Sequence, residues 1–455
     1  MLRYFSPGVW LLVFLAIGSS ILVFLLPVAP RPGLIFWLFD RNHAMLSQHI
    51  ADQWNRENPD MPVQVTLIPT SLGTRMLSGF YANTPVGDLI EVERSLIGQV
   101  FAGPLEDVGF VDLTDRLEED RVGDMINTPS FSPWSTRDRI FGLPHDVHPV
   151  MLMYRADLVE AAGIDVSQIE TWDDYFRIMR PLQRDLDGDS RIDRWLLSAG
   201  PTAFQFHEVF MLQAGGGYFA ADGEPELNSE INVRILSQLA IWYVGPGRVT
   251  GELPTTPATA QQLIIDGYVV AMLAPDWFVG SIRNTLPAMA GKFKLMPLPA
   301  WEPGGRRTSV YGGTMLGITK ASQHQDAAWE FAQKLYLSPE TARGLYEMTR
   351  IITPIKANWD EPIYDEPDSY YCDQPIGRLF INLAPDVPLR PSSPFYVNAQ
   401  QELNAAIIAL CHYVEKRHIS DPTLLHDQCR QLLDSAQARL LRQMQRNVFL
   451  RHTES

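Results

Sequence analysis

Leu34-Ile-Phe-Trp-Leu-Phe39, running into Asp40-Arg41-Asn42-His43, is the stretch on which the fold turns. Its apolar run has the length of a strand, and a helix from near His43 to Glu57 follows, stopped by Pro59. Val63, Val65 and Leu67 then alternate with polar residues as a second strand. A short helix falls near Thr74 to Tyr81, and Asp88-Leu-Ile-Glu-Val92 reads as a third strand. Strands alternating with helices predict a parallel, doubly wound sheet. The alternation resumes with Val150 to Tyr154 as a strand and Trp172 to Arg184 as a helix, capped by Thr171 with Asp174 three residues on. Trp195 to Ser198, Val269 to Ala274 and Lys292 to Met296 continue as strands, so a second α/β lobe is expected.

Length agrees with two lobes, since 455 residues exceed what one ordinary core accommodates. Apolar residues make up 46% and charged residues 20%, values of a water-soluble globular body. A net charge of -16 repels phosphate backbones and argues against nucleic acid as a partner.

The first 30 residues follow another rule. Val9 to Ala29 carries no charge, and about 21 residues at about 1.5 Å each span about 31 Å, enough to cross a bilayer. The run is longer than a cleaved signal needs and ends Leu-Leu-Pro-Val-Ala-Pro without a small-x-small site. One transmembrane anchor helix is therefore the expectation, with a signal segment as the alternative.

The three cysteines are Cys372, Cys411 and Cys429. Val397 to Glu415 and Pro422 to Asn447 read as antiparallel helices around the Ser420 turn, which brings Cys411 and Cys429 level. They are either a disulfide, given an oxidising compartment, or two small core residues on facing helices. Ile351 to Pro394, rich in proline, acidic residues and tyrosine, reads as a long ordered excursion.

Catalytic motifs fail. His207-Glu208-Val-Phe-Met211 opens like H-E-x-x-H, but Met211 replaces the second histidine. The chain has neither a G-x-S-x-G elbow nor a G-x-x-x-x-G-K-[ST] loop. Paired carboxylates for glycoside chemistry meet in space and leave no spacing signal, so a carbohydrate-active enzyme stays open as an alternative. No cofactor is called for. One metal pattern stands out: Asp185, Asp187, Asp189 and Asp193 place acidic oxygens at the alternating positions of a calcium loop. Glycine falls at position 4 of that loop instead of 6, and Leu196 takes the place of the bidentate glutamate. The plain reading is a solvated acidic turn.

Gly142-Leu-Pro-His-Asp-Val-His-Pro-Val-Met-Leu-Met-Tyr-Arg-Ala-Asp157 resembles the crossover segment of bacterial extracellular solute-binding proteins of family 1, the maltose-binding-like group. Thr171-Trp-Asp-Asp174, Ala271-Met-Leu-Ala-Pro-Asp-Trp277 and Tyr311-Gly-Gly-Thr-Met-Leu-Gly-Ile-Thr-Lys320, with the helix Ala327 to Tyr336 behind it, are similar to the same family in the same order. The family's lipid-modified cysteine is missing, which leaves anchoring to the Val9 to Ala29 run.

The resemblance implies a two-lobed periplasmic-binding-protein fold of type II, each lobe a doubly wound sheet, with a solute held in the cleft. It divides the chain into 1–31 as anchor or signal, 32–147 with 305–350 as the first lobe, and 148–304 with 351–455 as the second. A polyhydroxylated ligand needs flat aromatic faces for its C–H surfaces and charged or amide groups for its hydroxyls. By their place in the motifs, Trp277 is the stacking candidate, or else a core residue at a helix start. His148 and Asp146 are polar contacts, or else stabilise the hinge. Glu93 and Arg94 face the cleft from a strand's carboxyl end, or form a surface pair. Gly312 and Gly313 let backbone approach the ligand, and Tyr396, Asp40 and Arg41 complete the set. The partners implied are a sugar or polyol, the permease subunits of an ABC importer, and the membrane outside the cytoplasm. A membrane-anchored sensor presenting solute to a receptor is the alternative of another class.

Overall fold

The strand β1 (Leu34–Leu38) buries Leu34, Phe36 and Leu38 and carries parallel neighbours on both sides, β2 (Val63–Leu67) and β3 (Leu89–Glu93). Between β1 and β2 the helix Arg41–Glu57 starts where Asp40 Oδ1 accepts from the backbone N–H groups of Asn42 and His43, at 2.8 and 3.1 Å. It turns His43, Leu46, Ile50, Ala51 and Trp54 inward at helical spacing, each large apolar side chain worth roughly 1.5–3 kcal/mol when fully buried. The computed structural model describes residues 6–25, 33–82 and 84–447.

A hairpin of β4 (Ser135–Thr136) and β5 (Arg139–Ile140) precedes the short strand β6 (Leu143–Pro144), after which the chain leaves the first lobe. The second lobe is built on β7 (Val150–Arg155), β8 (Trp195–Ser198), β9 (Thr250–Gly251), β10 (Val269–Pro275) and β11 (Phe293–Pro297). The chain returns to complete the first sheet with β12 (Thr314–Ile318). Strand orders are β2-β1-β3-β12-β6 and β11-β7-β10-β8-β9.

Neither sheet is wholly parallel, which corrects the doubly wound expectation. β12 runs antiparallel to β3, Thr314 opposite Glu93 and Ile318 opposite Leu89. In the second sheet β7 lies antiparallel between β10 and β11. The reason is the route of the chain. A strand reached through a helix on its own lobe arrives parallel, whereas β7 and β12 are entered from the neighbouring lobe and start at the cleft edge.

The two crossings lie side by side. Pro149 and Val310 bridge, Val150 N donates to Ser309 O at 3.1 Å, and His145 N donates to Thr314 O at 2.9 Å. A third passage follows the helix Pro339–Thr349, where Asn127 N of the first lobe donates to Pro354 O at 2.8 Å. Beyond it, Ile351 to Pro394 is ordered by four short 3-10 turns and the helix Ile376–Leu383, and buries Tyr364, Tyr370 and Tyr371 against the second lobe.

The helix expected over Trp172 to Arg184 has the capping box of Thr171 and Asp174 but ends at Met179. Pro181 follows in a 3-10 turn, having no N–H to continue the α ladder. The helices Tyr396–Arg417 and His426–Met444 pack against Glu230–Tyr243. Cys411 and Cys429 are free, buried thiols there, their pKa values pushed up by burial to about 12 and about 11.

At the N-terminus a helix spans Pro7–Leu25, with Leu11, Leu12, Phe14 and Leu15 all exposed. Among the described residues no helix is long and apolar enough to cross a membrane, so the expected spanning helix is not shown. The end of the Val9 to Ala29 run lies outside the described residues.

Candidate functional site

The cleft takes its first-lobe wall from the carboxyl ends of β1 and β3, where Asp40 and Glu93 are placed. Glu93 caps the helix Arg94–Val100: its Oε2 accepts from Ser95 N at 3.0 Å and from the Ser95 hydroxyl. The second-lobe wall starts at the carboxyl end of β10, where the helix Asp276–Thr285 begins with a fully buried Asp276 and then Trp277. Asp276 Oδ1 accepts from Trp277 N at 2.7 Å, and the indole Nε1 donates to Tyr311 O at 3.0 Å, which fixes the ring at the rim of the crossing strands.

A void of about 580 Å³ lies between these walls, within the range of small-molecule sites. Aromatic faces come from Phe39, Trp277 and Tyr311, and hydrogen-bonding groups from Asp40, Asn42, Glu93 and Asn284. Burial, then Glu93 and Glu208, push the Tyr311 phenol up to about 12, so it stays a neutral hydrogen-bonding group.

Arg94 opens on a different void, of about 410 Å³, together with Tyr218, Arg390 and Tyr396. It also spans the lobes. Its Nη2 and Nη1 donate to Glu208 Oε1 and Oε2 at 3.0 and 3.3 Å, and its guanidinium lies 4.1 Å over the Tyr396 ring, whose hydroxyl donates to Glu208 Oε2 at 2.8 Å. Arg390 donates to Gly312 O, and burial together with the neighbouring Arg94 charge pushes its pKa down to about 10.

His148 and Asp146 are committed to the hinge. The His148 ring, in a left-handed backbone conformation (φ 53°), sets Nδ1 2.5 Å from Asp276 Oδ1 and Nε2 3.0 Å from Asp146 Oδ2. Burial opposes its charge, but the two carboxylates outweigh it and raise the pKa to about 10. Asp146 is held well below the usual carboxylate range: burial opposes this, and His148 and His145 outweigh it. It also accepts from Thr314 N at 3.0 Å. His148 shows one edge to the larger void, and Asp146 does not line it.

Gly312 and Gly313 have φ of +104° and +126°. A Cβ on Gly312 would stand 2.8 Å from both His148 Cδ2 and Trp277 Nε1, and one on Gly313 would stand 3.0 Å from Arg390 Nη2. The room they leave is taken up by the protein's own side chains, and Gly312 also lines the larger void. Arg41 is exposed and lines neither void. The structure therefore places Trp277, Asp40, Glu93, Gly312 and His148 at one void, Arg94 and Tyr396 at another, and Asp146, Gly313 and Arg41 at neither.

Sequence reasoning missed Tyr311, Asn42, Glu208 and Arg390. Tyr311 stood inside a quoted motif. Glu208 stood in the rejected H-E-x-x pattern, where His207 is wholly buried and 3.2 Å from Asn404 Oδ1.

In the Asp185 to Asp193 loop, ligand atoms of Asp185, Asp187 and Asp193 fall within 4.8 Å of one another. Most of these oxygens already accept backbone N–H groups: Asp185 those of Gly188 and Ser190, Asp187 that of Asp189, and Asp193 that of Leu186. Asp189 turns to Arg191.

Two lobes, crossing strands and a mixed aromatic and polar cleft define a solute-binding protein of the two-lobed class. The chain belongs to the bacterial extracellular solute-binding protein family, whose family model matches residues 45–342. An arabinooligosaccharide-binding protein of Halalkalibacterium halodurans is 26% identical over 347 residues, 74% of this chain and 75% of that protein. Its counterpart in Bacillus subtilis is 26% identical over 310 residues, 66% of this chain and 67% of that protein. The sugar-binding protein MalE of Xanthomonas citri superposes with a TM-score of 0.71 at 19% identity, covering 91% of this chain and 99% of that one. A binding protein of B. animalis subsp. lactis Bl-04, in complex with beta-1,6-galactobiose, gives 0.65 at 18% identity, over 92% and 98%. At these identities the solved structures speak to the fold.

Proposed function

We propose that this chain is the extracytoplasmic solute-binding component of an ABC importer, capturing a sugar, an oligosaccharide or a polyol between its lobes and delivering it to the permease. The observation that carries this reading is the void of about 580 Å³ with Phe39, Trp277 and Tyr311 beside Asp40, Asn42, Glu93 and Asn284. The void offers both the apolar faces and the hydroxyl-binding groups that a pyranose or furanose requires. Family membership and the oligosaccharide-binding relatives support it. In this reading 32–147 with 305–350 form one jaw and 148–304 with 351–455 the other, and nothing is chemically converted.

The apolar run from Val9 is assigned to membrane attachment, a role supported by the exposure of Leu11, Leu12, Phe14 and Leu15. Calcium is assigned a weak, non-essential place at Asp185, Asp187 and Asp193. An unchanged melting curve on adding calcium to chelated protein removes that assignment.

The function is tested by a thermal-shift screen of the purified chain against arabino-oligosaccharides, malto-oligosaccharides, monosaccharides and polyols, followed by calorimetry. Binding without turnover raises the melting temperature, and the rise continues with the logarithm of ligand concentration above the dissociation constant. Hydrolysis of the bound sugar moves the chain to the enzyme class, and a full screen without any shift overturns the reading.

A further inference from the structure

Behind the cleft wall, the first lobe holds a group of buried polar side chains, of which only His43 also lines the larger void. His43 on the helix after β1, Glu91 in the middle of β3 and His145 just past β6 are all buried, and they come from positions 43, 91 and 145 of the chain. One ligand atom of each lies within 4.8 Å of the other two. His43 Nδ1 is 3.0 Å from Glu91 Oε2, and the two imidazole rings meet with centroids 4.3 Å apart.

We propose that His43, Glu91 and His145 form a zinc site beside the hinge. Two imidazoles and one carboxylate are a donor set zinc accepts, with a fourth position left for water. The surroundings have the features of an outer shell. The second oxygen of Glu91 accepts from the Tyr336 hydroxyl at 2.7 Å, which orients the carboxylate. His145 Nδ1 lies 3.2 Å from Asp146 Oδ2, so a proton held there leaves Nε2 as the donor to a metal. A cavity of about 20 Å³, lined by His43, Glu91, His145, Tyr336, Ser47 and Thr353, adjoins the group. That is room for about one water-sized ligand.

Other features point to a cation rather than a packed core. Three groups with strong hydration have been collected in a lobe interior, and two imidazoles face each other where apolar side chains would pack better. A proton shared in a His43–Glu91 ion pair is the competing occupant. It accounts for two of the three residues, with His145 held separately by Asp146 and the Tyr336 ring.

The test uses the full chain, stripped with chelator, incubated with zinc sulfate and dialysed. About one zinc per chain is expected to remain, with a raised melting temperature. Glu91→Gln and His145→Gln are expected to lose the zinc and the shift, while Asp187→Asn with Asp193→Asn retains both. Retention of zinc by folded Glu91→Gln and His145→Gln, its loss in the loop variant, or no retention by the unaltered chain overturns the proposal. Should the two core variants not fold, cobalt in the unaltered chain decides. Strong visible bands of a four-coordinate ion are expected, and a weak six-coordinate spectrum overturns it.

Discussion

Arg94 and Glu208 are joined across the lobes by a two-pronged ion pair, 3.0 and 3.3 Å long, with both residues more than nine-tenths buried. The structure is therefore held in a lobe-to-lobe contact in which each buried charge has the other as its counter-charge. Removing one partner leaves the other buried and uncompensated, a loss of about 3–5 kcal/mol. Glu208→Ala is expected to lower the melting temperature and expand the chain in small-angle scattering. Replacing both residues by apolar ones should recover much of the loss. An unchanged scattering profile in Glu208→Ala would show that the pair does not hold the lobes together.

Trp277 presents its ring to the larger void and has its indole N–H tied to Tyr311 O. Trp277→Ala should weaken sugar binding by more than about 1 kcal/mol with folding kept. Calorimetry with whichever sugar the screen identifies reads this directly, and equal affinity removes Trp277 from the site.

Gly312 combines φ of +104° with no room for a Cβ, His148 and Trp277 each standing 2.8 Å from where it would be. Gly312→Ala should cost roughly 1–3 kcal/mol in stability and disturb the Trp277 ring. Chemical denaturation and tryptophan fluorescence measure both effects.

His148 sets the pH dependence of the hinge. Its pKa in the folded chain is about 10 against an ordinary 6.5, because Asp146 and Asp276 face its two nitrogens. A raised folded pKa means that the stabilisation is complete below about pH 6.5 and is lost as pH rises through about 10. The melting temperature should fall over that interval, and His148→Gln should flatten the slope while lowering stability at neutral pH. An equally steep fall in the variant assigns the effect to other groups.

Much of the fold was legible in order. β8 runs over the Trp195 to Ser198 read from the sequence. β1 and β7 begin at the expected residues, and the Thr171 capping box is in place. These are local features, decided by burial period and by backbone donors a few residues apart. The direction of β7 and β12 was not legible, because it depends on which lobe the chain has come from. Which tryptophans pack against one another was not legible either. Trp242 and Trp301 stack with centroids 5.2 Å apart beside a wholly buried Trp172, and only a fold can say which aromatic ring faces a gap.

The chain by itself determined that two α/β units alternate strand and helix, that an apolar run precedes them, and that no catalytic motif of local spacing is present. These follow from periodicity and short-range chemistry, which act between near neighbours. Only the tertiary structure decided that Arg94 meets Glu208, that His148 lies between Asp146 and Asp276, and that His43, Glu91 and His145 share one interior. Such partners stand up to 128 residues apart. Their meeting is set by packing and by the need of each buried charge for a counter-charge, neither of which has a spacing in sequence.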